Sequence, residues 1–266
     1  MKAINFNEVS LIESVELWND CFSDYPTPMV MTSETLKARF NKFGLSEELS
    51  FIMKDEEKLL GLILIGVREF DGIVTAWVGG MGVRPSERQS GVAKAMLTEM
   101  EERAKACGVE VIKFEVLSEN SKAKKLYMAS GYSIMTDLGI YQGSVSKFNK
   151  SDIYIEMSKD QLEPQDTPWQ NRNVFNESFD FILNHKKIGE LVLDEASDKE
   201  GKKSLIIRQF RLPTLYIEQA LSTLNKKYGE ISITWSNFDE ADLVTQALTD
   251  YCFNKVNSQL QLKKYI

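Results

Sequence analysis

Apolar residues recur along this chain in two periods, and the switches between them predict most of its elements. Leu11, Val15, Trp18 and Phe22 fall at helical spacing. Leu36, Phe40 and Phe43 do the same after Ser33, which can cap a second helix. Residues 3–6 read as a strand ahead of them, and Pro26 and Pro28 break the chain between the two helices. Ser50–Met53, Leu59–Arg68 and Ile73–Val83 have strand patterning, separated by the polar turns Asp55–Lys58 and Glu69–Gly72. A helix is predicted from about Gly91 to Ala106, stopped by Gly108. Its apolar face carries Val92, Ala95, Met96, Met100, Ala104 and Cys107, which places Cys107 in the core. A strand at Val109–Leu117, a helix at Ser121–Ser130, and strands at Tyr132–Met135 and Ile153–Met157 complete an α/β (α+β) order, β-α-α-β-β-β-α-β-α-β-β.

Residues 161–168, with two prolines and no periodicity, read as a linker between a domain at 1–160 and one at 169–266. The second half begins with a hairpin, Phe179–Leu183 and Ile188–Asp194, around His185. A strand at Lys203–Leu212, a helix at Tyr216–Lys227, a strand at Ile231–Trp235, a helix at Ala241–Val256 and a strand at Leu260–Ile266 follow. This repeats the order of the first half in reduced form. Two readings stand: an internal duplication of one fold, or an unrelated α+β module of similar size.

Composition narrows the chemistry. The 266 residues carry a formal net charge of −7, and residues 1–160 hold 19 Lys and Arg against 24 Asp and Glu. Nucleic-acid binding is not expected, because phosphate contacts need clustered cations. Weak steering of a cationic substrate and ordinary solubility charge both fit this balance. The three cysteines, Cys21, Cys107 and Cys252, have no metal or disulfide spacing, and His185 lies in a polar turn, so no metal site is expected. The first residues contain no secretory h-region, and no segment reaches roughly 18 consecutive apolar residues. A cytoplasmic protein without a membrane span is the expectation.

One stretch carries chemistry. The strand ending at Val83 runs into a polar turn and then a helix start near Gly91. The first amides of a helix lack intrahelical partners and lie at its positive end, so they form an anion site. Gly91 admits close approach, Ala93 is small, and Arg84, Arg88 and Lys94 add positive charge, with Glu87 among them. The segment is neither a Walker loop nor a three-glycine dinucleotide turn. Arg88-Gln89-Ser90-Gly91-Val92-Ala93 resembles the R/Q-x-x-G-x-G/A signature of the GNAT acetyltransferase superfamily, with Val83-Arg84-Pro85 resembling its lead-in. Asn120, Ala123, Leu126, Tyr127, Gly131 and Tyr132 are similar to that family's second signature, N-x-x-A-x-x-L-Y-x-x-x-G-F/Y. The resemblance covers residues 1–160.

The resemblance implies a GNAT-like mixed central sheet flanked by helices, with two parallel strands, here 73–83 and 109–117, splayed around acetyl-coenzyme A. It implies pantetheine pairing with Met81 and Val83, pyrophosphate on the amides of Arg88, Gln89, Ser90, Gly91, Val92 and Ala93, and a hydrogen bond from Asn120 to the pantetheine arm. Tyr127 would protonate the leaving thiolate as general acid; packing as a core aromatic is the alternative. An amide near Met81 would face the oxyanion. Many relatives place a Glu on the strand before the turn, yet Thr75–Val83 has no carboxylate. Glu115 is the base candidate, or else a residue of a solvated strand face; Asp24 and Tyr25 are weaker candidates. Gly79, Gly80 and Gly82 indicate either a ligand against the strand or a bulge. The implied reaction is acetyl transfer to a primary amine of a small molecule, with a protein amine or non-catalytic acyl-coenzyme A sensing as alternatives. The second half has Arg211-Leu-Pro-Thr-Leu-Tyr216 where the turn would fall, with no glycine and with Pro213 lacking an amide. It reads as a smaller, degenerate GNAT-like domain, and Trp169, Trp235, Phe238 and Tyr251 are candidates to wall an acceptor pocket or to fill a core.

Overall fold

The computed structural model describes residues 1–26, 29–70, 72–144, 151–158, 167–172, 177–197 and 201–266. Two compact units result: Met1–Val116 with Asn120–Met135 and Leu262–Ile266, and Leu117–Glu119 with Thr136–Gln261. The division therefore does not fall at residue 160. Thr136 onward joins the second unit, and the last residues of the chain join the first. Patterning fixes which face of a strand is buried but not which strand it pairs with, so membership of a sheet is decided at long range. Residues 161–166 of the expected linker lie outside the described residues.

The first unit contains β1 (Lys2–Asn5), α1 (Leu11–Cys21), α2 (Ser33–Phe43), β2 (Leu45–Asp55), β3 (Lys58–Phe70), β4 (Ile73–Val83), α3 (Val92–Ala106), β5 (Val111–Leu117), α4 (Ser121–Ala129), the start of β6 (Ser133–Ser144) and the end of β12 (Asn254–Tyr265). The strand order is β1-β2-β3-β4-β5-β12-β6. α1 starts at a capping box: Ser10 Oγ accepts from the Glu13 amide, and the Glu13 carboxylate accepts from the Ser10 amide. Thr32 caps α2, so Ser33 is its first helical residue and not its cap. Gly44 ends α2 at φ 60°, the left-handed conformation that glycine adopts without strain. One core cluster forms where Leu17, Trp18 and Cys21 of α1 and Leu36 and Phe40 of α2 cover Ile52, Leu62 and Leu64. α3 buries Val92, Met96, Leu97, Met100 and Ala104. Cys107, expected in the core, is the exposed residue that caps this helix.

The second unit contains β7 (Tyr154–Met157), β8 (Glu177–Leu183), β9 (Lys186–Ser197), β10 (Lys203–Arg211), α5 (Ile217–Tyr228), β11 (Ser232–Asp239) and α6 (Leu243–Ala247), with the rest of β6 and β12. Its order is β12-β6-β11-β10-β9-β8-β7, and β10 and β11 are parallel. Asn184 and His185, at φ 51° and 61°, turn the β8–β9 hairpin. The predicted helix at 241–256 is shortened: α6 and a 3-10 turn at Leu248–Tyr251 end at Cys252, which stands at φ 62°, and β12 starts at Asn254. Asn254, Asn257 and Ser258 have little helix preference, and sheet pairing takes this segment instead. Trp235 and Phe238, offered above as pocket walls, lie in this unit's own core with Phe181, Phe210 and Phe253, and Tyr251 packs against it; Trp169 is buried as well.

Candidate active site

The site begins with a failure of pairing. β4 and β5 are parallel partners only at Thr75–Val111, Ala76–Ile112 and Trp77–Lys113. Past that point they separate, so the edge of β4 toward β5 is open from Val78 onward. A bulge lies at the same place: opposite β3, Leu64 pairs with Gly80 and Ile65 with Val78, leaving Gly79 as the extra residue. The glycines follow from packing. A Cβ on Gly80 would stand 2.6 Å from the Trp18 ring, and one on Gly82 would stand 2.8 Å from Cys21 Cβ. So α1 approaches β4 too closely for side chains there, and of the two sequence readings the bulge and close helix packing account for these glycines without a ligand.

At the open end of β4 the chain makes its turn. Gln89 stands at φ 64° and Gly91 at φ 89°, with nothing within 4 Å of the place where a Gly91 Cβ would be. The amides of Gln89, Ser90, Gly91, Val92, Ala93 and Lys94 donate to no protein acceptor among the described residues. Six free donors at the positive end of α3 form a site for an anion such as a pyrophosphate.

The arginines are used differently from the expectation of bare positive charge. Arg88 folds back on α1: Nη1 and Nη2 donate to Asp24 at 2.6 and 2.8 Å, Nη2 also to the Cys21 carbonyl at 2.9 Å, and Nε to the Val83 carbonyl at 3.1 Å. Arg84 pairs with Asp20 at 3.0 Å. Arg88 is thus a clasp joining the turn to the end of α1, and Val83, predicted to face pantetheine, has its carbonyl occupied. Asp24 is withdrawn as a base, since its bond to Arg88 holds its carboxyl below the usual range. Glu115 is also engaged: Oε2 accepts from the indole of Trp77 at 2.9 Å, at the point where the strands part.

Tyr127 projects from α4 with its ring 4.5 Å from that of Phe114, and its hydroxyl lies 3.9 Å from Met81 Sδ. Burial first, and the nearby Tyr25 second, push its pKa above the ordinary phenol value, so it is fully protonated at neutral pH. The structure brings Tyr127 and Met81 together. Asn120 Oδ1 accepts from the Ala123 amide at 3.1 Å and caps α4, a local role for a residue expected to face pantetheine. Sequence reasoning missed Arg39 of α2, which donates from Nη2 to the Gly79 carbonyl at the bulge. Its only sequence signal was a cation beside the apolar stripe of Leu36, Phe40 and Phe43.

The second unit has no equivalent turn. Between Arg211 and Tyr216 no residue has positive φ, the Tyr216 amide is spent on the Pro213 carbonyl, and Leu215 is 71% exposed. Among the described residues no group of three or more His, Cys, Asp or Glu could hold a metal ion. Among the described residues no helix is long and apolar enough to cross a membrane.

The model of the acetyltransferase (GNAT) family matches residues 12–132, a span that contains the splayed strands, the turn and Tyr127. This region is a GNAT domain. Solved structures extend the likeness over both units. A tandem GNAT protein from the clavulanic acid biosynthesis pathway is 9% identical, with a TM-score of 0.67 over 99% of this chain and 98% of that one. The glucosamine N-acetyltransferase region of a fungal multi-domain β-N-acetylglucosaminidase gives a TM-score of 0.73 at 13% identity, over 98% of this chain and 38% of that one. A GCN5-related N-acetyltransferase from Anabaena variabilis gives 0.62 at 14%, over 99% and 72%. No curated protein matches the sequence. The second unit is accordingly GNAT-like in fold, without the phosphate turn at 211–216.

Proposed function

We propose that this protein is a cytoplasmic N-acetyltransferase that moves an acetyl group from acetyl-coenzyme A to a primary amine of a small molecule, by direct attack of the amine on the thioester. The observation that carries this reading is the opening of β4 from β5 beyond Trp77, with the six free amides of Gln89–Lys94 at its mouth. The unbonded edge of β4 near Met81 supplies polar backbone groups for the pantetheine arm and for a developing oxyanion. The amides of the turn take the pyrophosphate. Coenzyme A contributes the activated thioester. The chain's own part is to position it, and to hold a proton at Tyr127 Oη for the departing thiolate. The raised pKa of Tyr127 suits a donor and excludes it as the base. Three free cysteines, with no disulfide among the described residues, suit a reducing compartment.

A non-catalytic acyl-coenzyme A sensor is the second reading, favoured by the engagement of both carboxylate candidates, Asp24 and Glu115. Thermal stability with and without acetyl-coenzyme A, in the parent and in Gly91→Trp, tests the binding site: the parent midpoint rises and the variant's does not. Tyr127→Phe then separates the two readings. Against a panel of small amines an enzyme loses on the order of 10²-fold in kcat with coenzyme affinity kept. No stabilisation of the parent at millimolar coenzyme refutes both readings.

A further inference from the structure

Among the described residues Arg39 is a cation without an anion. Arg84, Arg88, Arg103 and Arg208 each meet a carboxylate. Arg39 lies between aromatic rings, its guanidinium carbon 5.5 Å from the Trp18 ring centroid and 5.1 Å from that of Phe43. Its Nη2 donates to the Gly79 carbonyl, and its Nε is buried with no acceptor. No ion pair involves it among the described residues, and burial alone moves its pKa, down to about 10, so it stays charged at neutral pH. A desolvated charge with an orphaned donor is unfavourable until something answers it. Holding the bulge needs only the bond to Gly79 and would not require a second, unsatisfied donor.

The position matters as much as the charge. The bulge marks the point where β4 leaves β5, the inner end of the gap in which the reading above places the acyl group. Trp18, which flanks Arg39, also covers Gly80. An anion bound at Arg39 therefore stands beside the place where acyl donor and acceptor meet, on the α1 and α2 side of the sheet, and the ring walls keep water from screening it.

We propose that Arg39 binds a carboxylate carried by the acceptor, so that the substrate is a small amine that is also a carboxylic acid. The proposal rests on the acetyl-transfer reading. One guanidinium neutralises a monoanionic carboxylate but leaves one charge of a dianionic phosphate unanswered in this desolvated place.

The test uses matched acceptors with acetyl-coenzyme A: L-lysine against cadaverine, L-phenylalanine against 2-phenylethylamine, 5-aminopentanoate against pentylamine, and O-phosphoethanolamine against ethanolamine. The parent should prefer the carboxylate member of at least one pair by about 10- to 100-fold in kcat/KM, the range expected for hydrogen bonds to a charged group. Arg39→Gln should abolish that preference, chiefly through KM, and leave the amines that lack an acid group within about threefold, while Arg39→Lys should restore part of it. Tryptophan emission, titrated with the same acids on protein loaded with coenzyme A, gives a readout that needs no turnover: it should saturate in the parent and not in Arg39→Gln. Equal use of both members of every pair by the parent overturns the proposal without any variant. So does preference for the phosphate, an equal loss for all amines in Arg39→Gln, or the absence of both turnover and an emission response to the acids. Saturation in the parent alone, with no amine acetylated, leaves the Arg39 site standing and removes acetyl transfer.

Discussion

Gly80 is where the packing of the site is most exposed to test. Its substitution by Ala would place a Cβ 2.6 and 2.7 Å from Cη2 and Cζ3 of Trp18. That ring is fully buried, and its Nε1 donates to the Met29 carbonyl at 2.6 Å. It cannot withdraw without stretching that bond or entering the cluster formed by Leu17, Leu36 and Leu64. Overpacking of this kind costs about 1–3 kcal/mol. Trp18→Phe removes the outer ring that makes the contact, at its own cost from a lost hydrogen bond and a cavity. The double variant should then be more stable than the sum of the single losses predicts, with a coupling of roughly 1–2 kcal/mol. Urea denaturation of the parent, both single variants and the double variant measures it. Additive losses would refute the packing account of Gly80. If Gly80→Ala left stability unchanged but weakened coenzyme binding, the glycine would exist to admit a ligand.

Three further outcomes follow from the same geometry. Gly91→Ala should cost about 1–2 kcal/mol, from the backbone at φ 89° alone since nothing surrounds the new Cβ; a change under about 0.3 kcal/mol in urea would refute the left-handed turn. Asp24→Asn should lower stability by no more than about 1 kcal/mol at pH 7, because the pair with Arg88 is exposed. The Asp24 carboxyl has a pKa depressed from 3.8 by Arg88, so its contribution is present above that value and lost as pH falls through the lower, folded-state one. The gap between parent and variant should therefore close on acidification, and a gap independent of pH would show that the clasp is not ionic. Gly189→Ala in the second unit would set a Cβ 2.3 Å from the backbone oxygen of Arg211, and since backbone yields less than a side chain it should destabilise by about 2 kcal/mol or more; a neutral result by thermal melting would refute that close approach.

Much of this protein was legible in the chain. Helices α1 to α5 and most strands follow from period and caps within a few residues, but β6 runs on to Ser144 from an expected end at Met135, β12 begins at Asn254 where Leu260 was expected, and β2 begins at Leu45 where Ser50 was expected. The anion turn is local chemistry, since Gly91 and the first amides of α3 need nothing distant. The contact of Tyr127 with Met81 was not legible, since the two lie on segments 46 residues apart.

Tertiary structure decided what depends on partners far along the sequence. The expected strand at Leu260–Ile266 extends back to Asn254, over the end of the expected helix, because sheet neighbours satisfy the backbone there. Arg88 bonds the Val83 carbonyl and the Asp24 carboxylate, and Glu115 is held by Trp77, contacts separated by up to 64 residues. No period encodes such pairs. The glycines at 79, 80 and 82 could be seen in the sequence, but the bulge at Gly79 and the close approach of α1 to Gly80 and Gly82 are set only by the packed core. Arg39 is the sharpest case: a helical spacing reads it as one more surface cation, and only the fold lays it on Trp18 and Phe43 without a counter-charge. Sequence periodicity records how each element meets water and core. Which charges meet each other is fixed only when distant segments are brought to within a few ångströms.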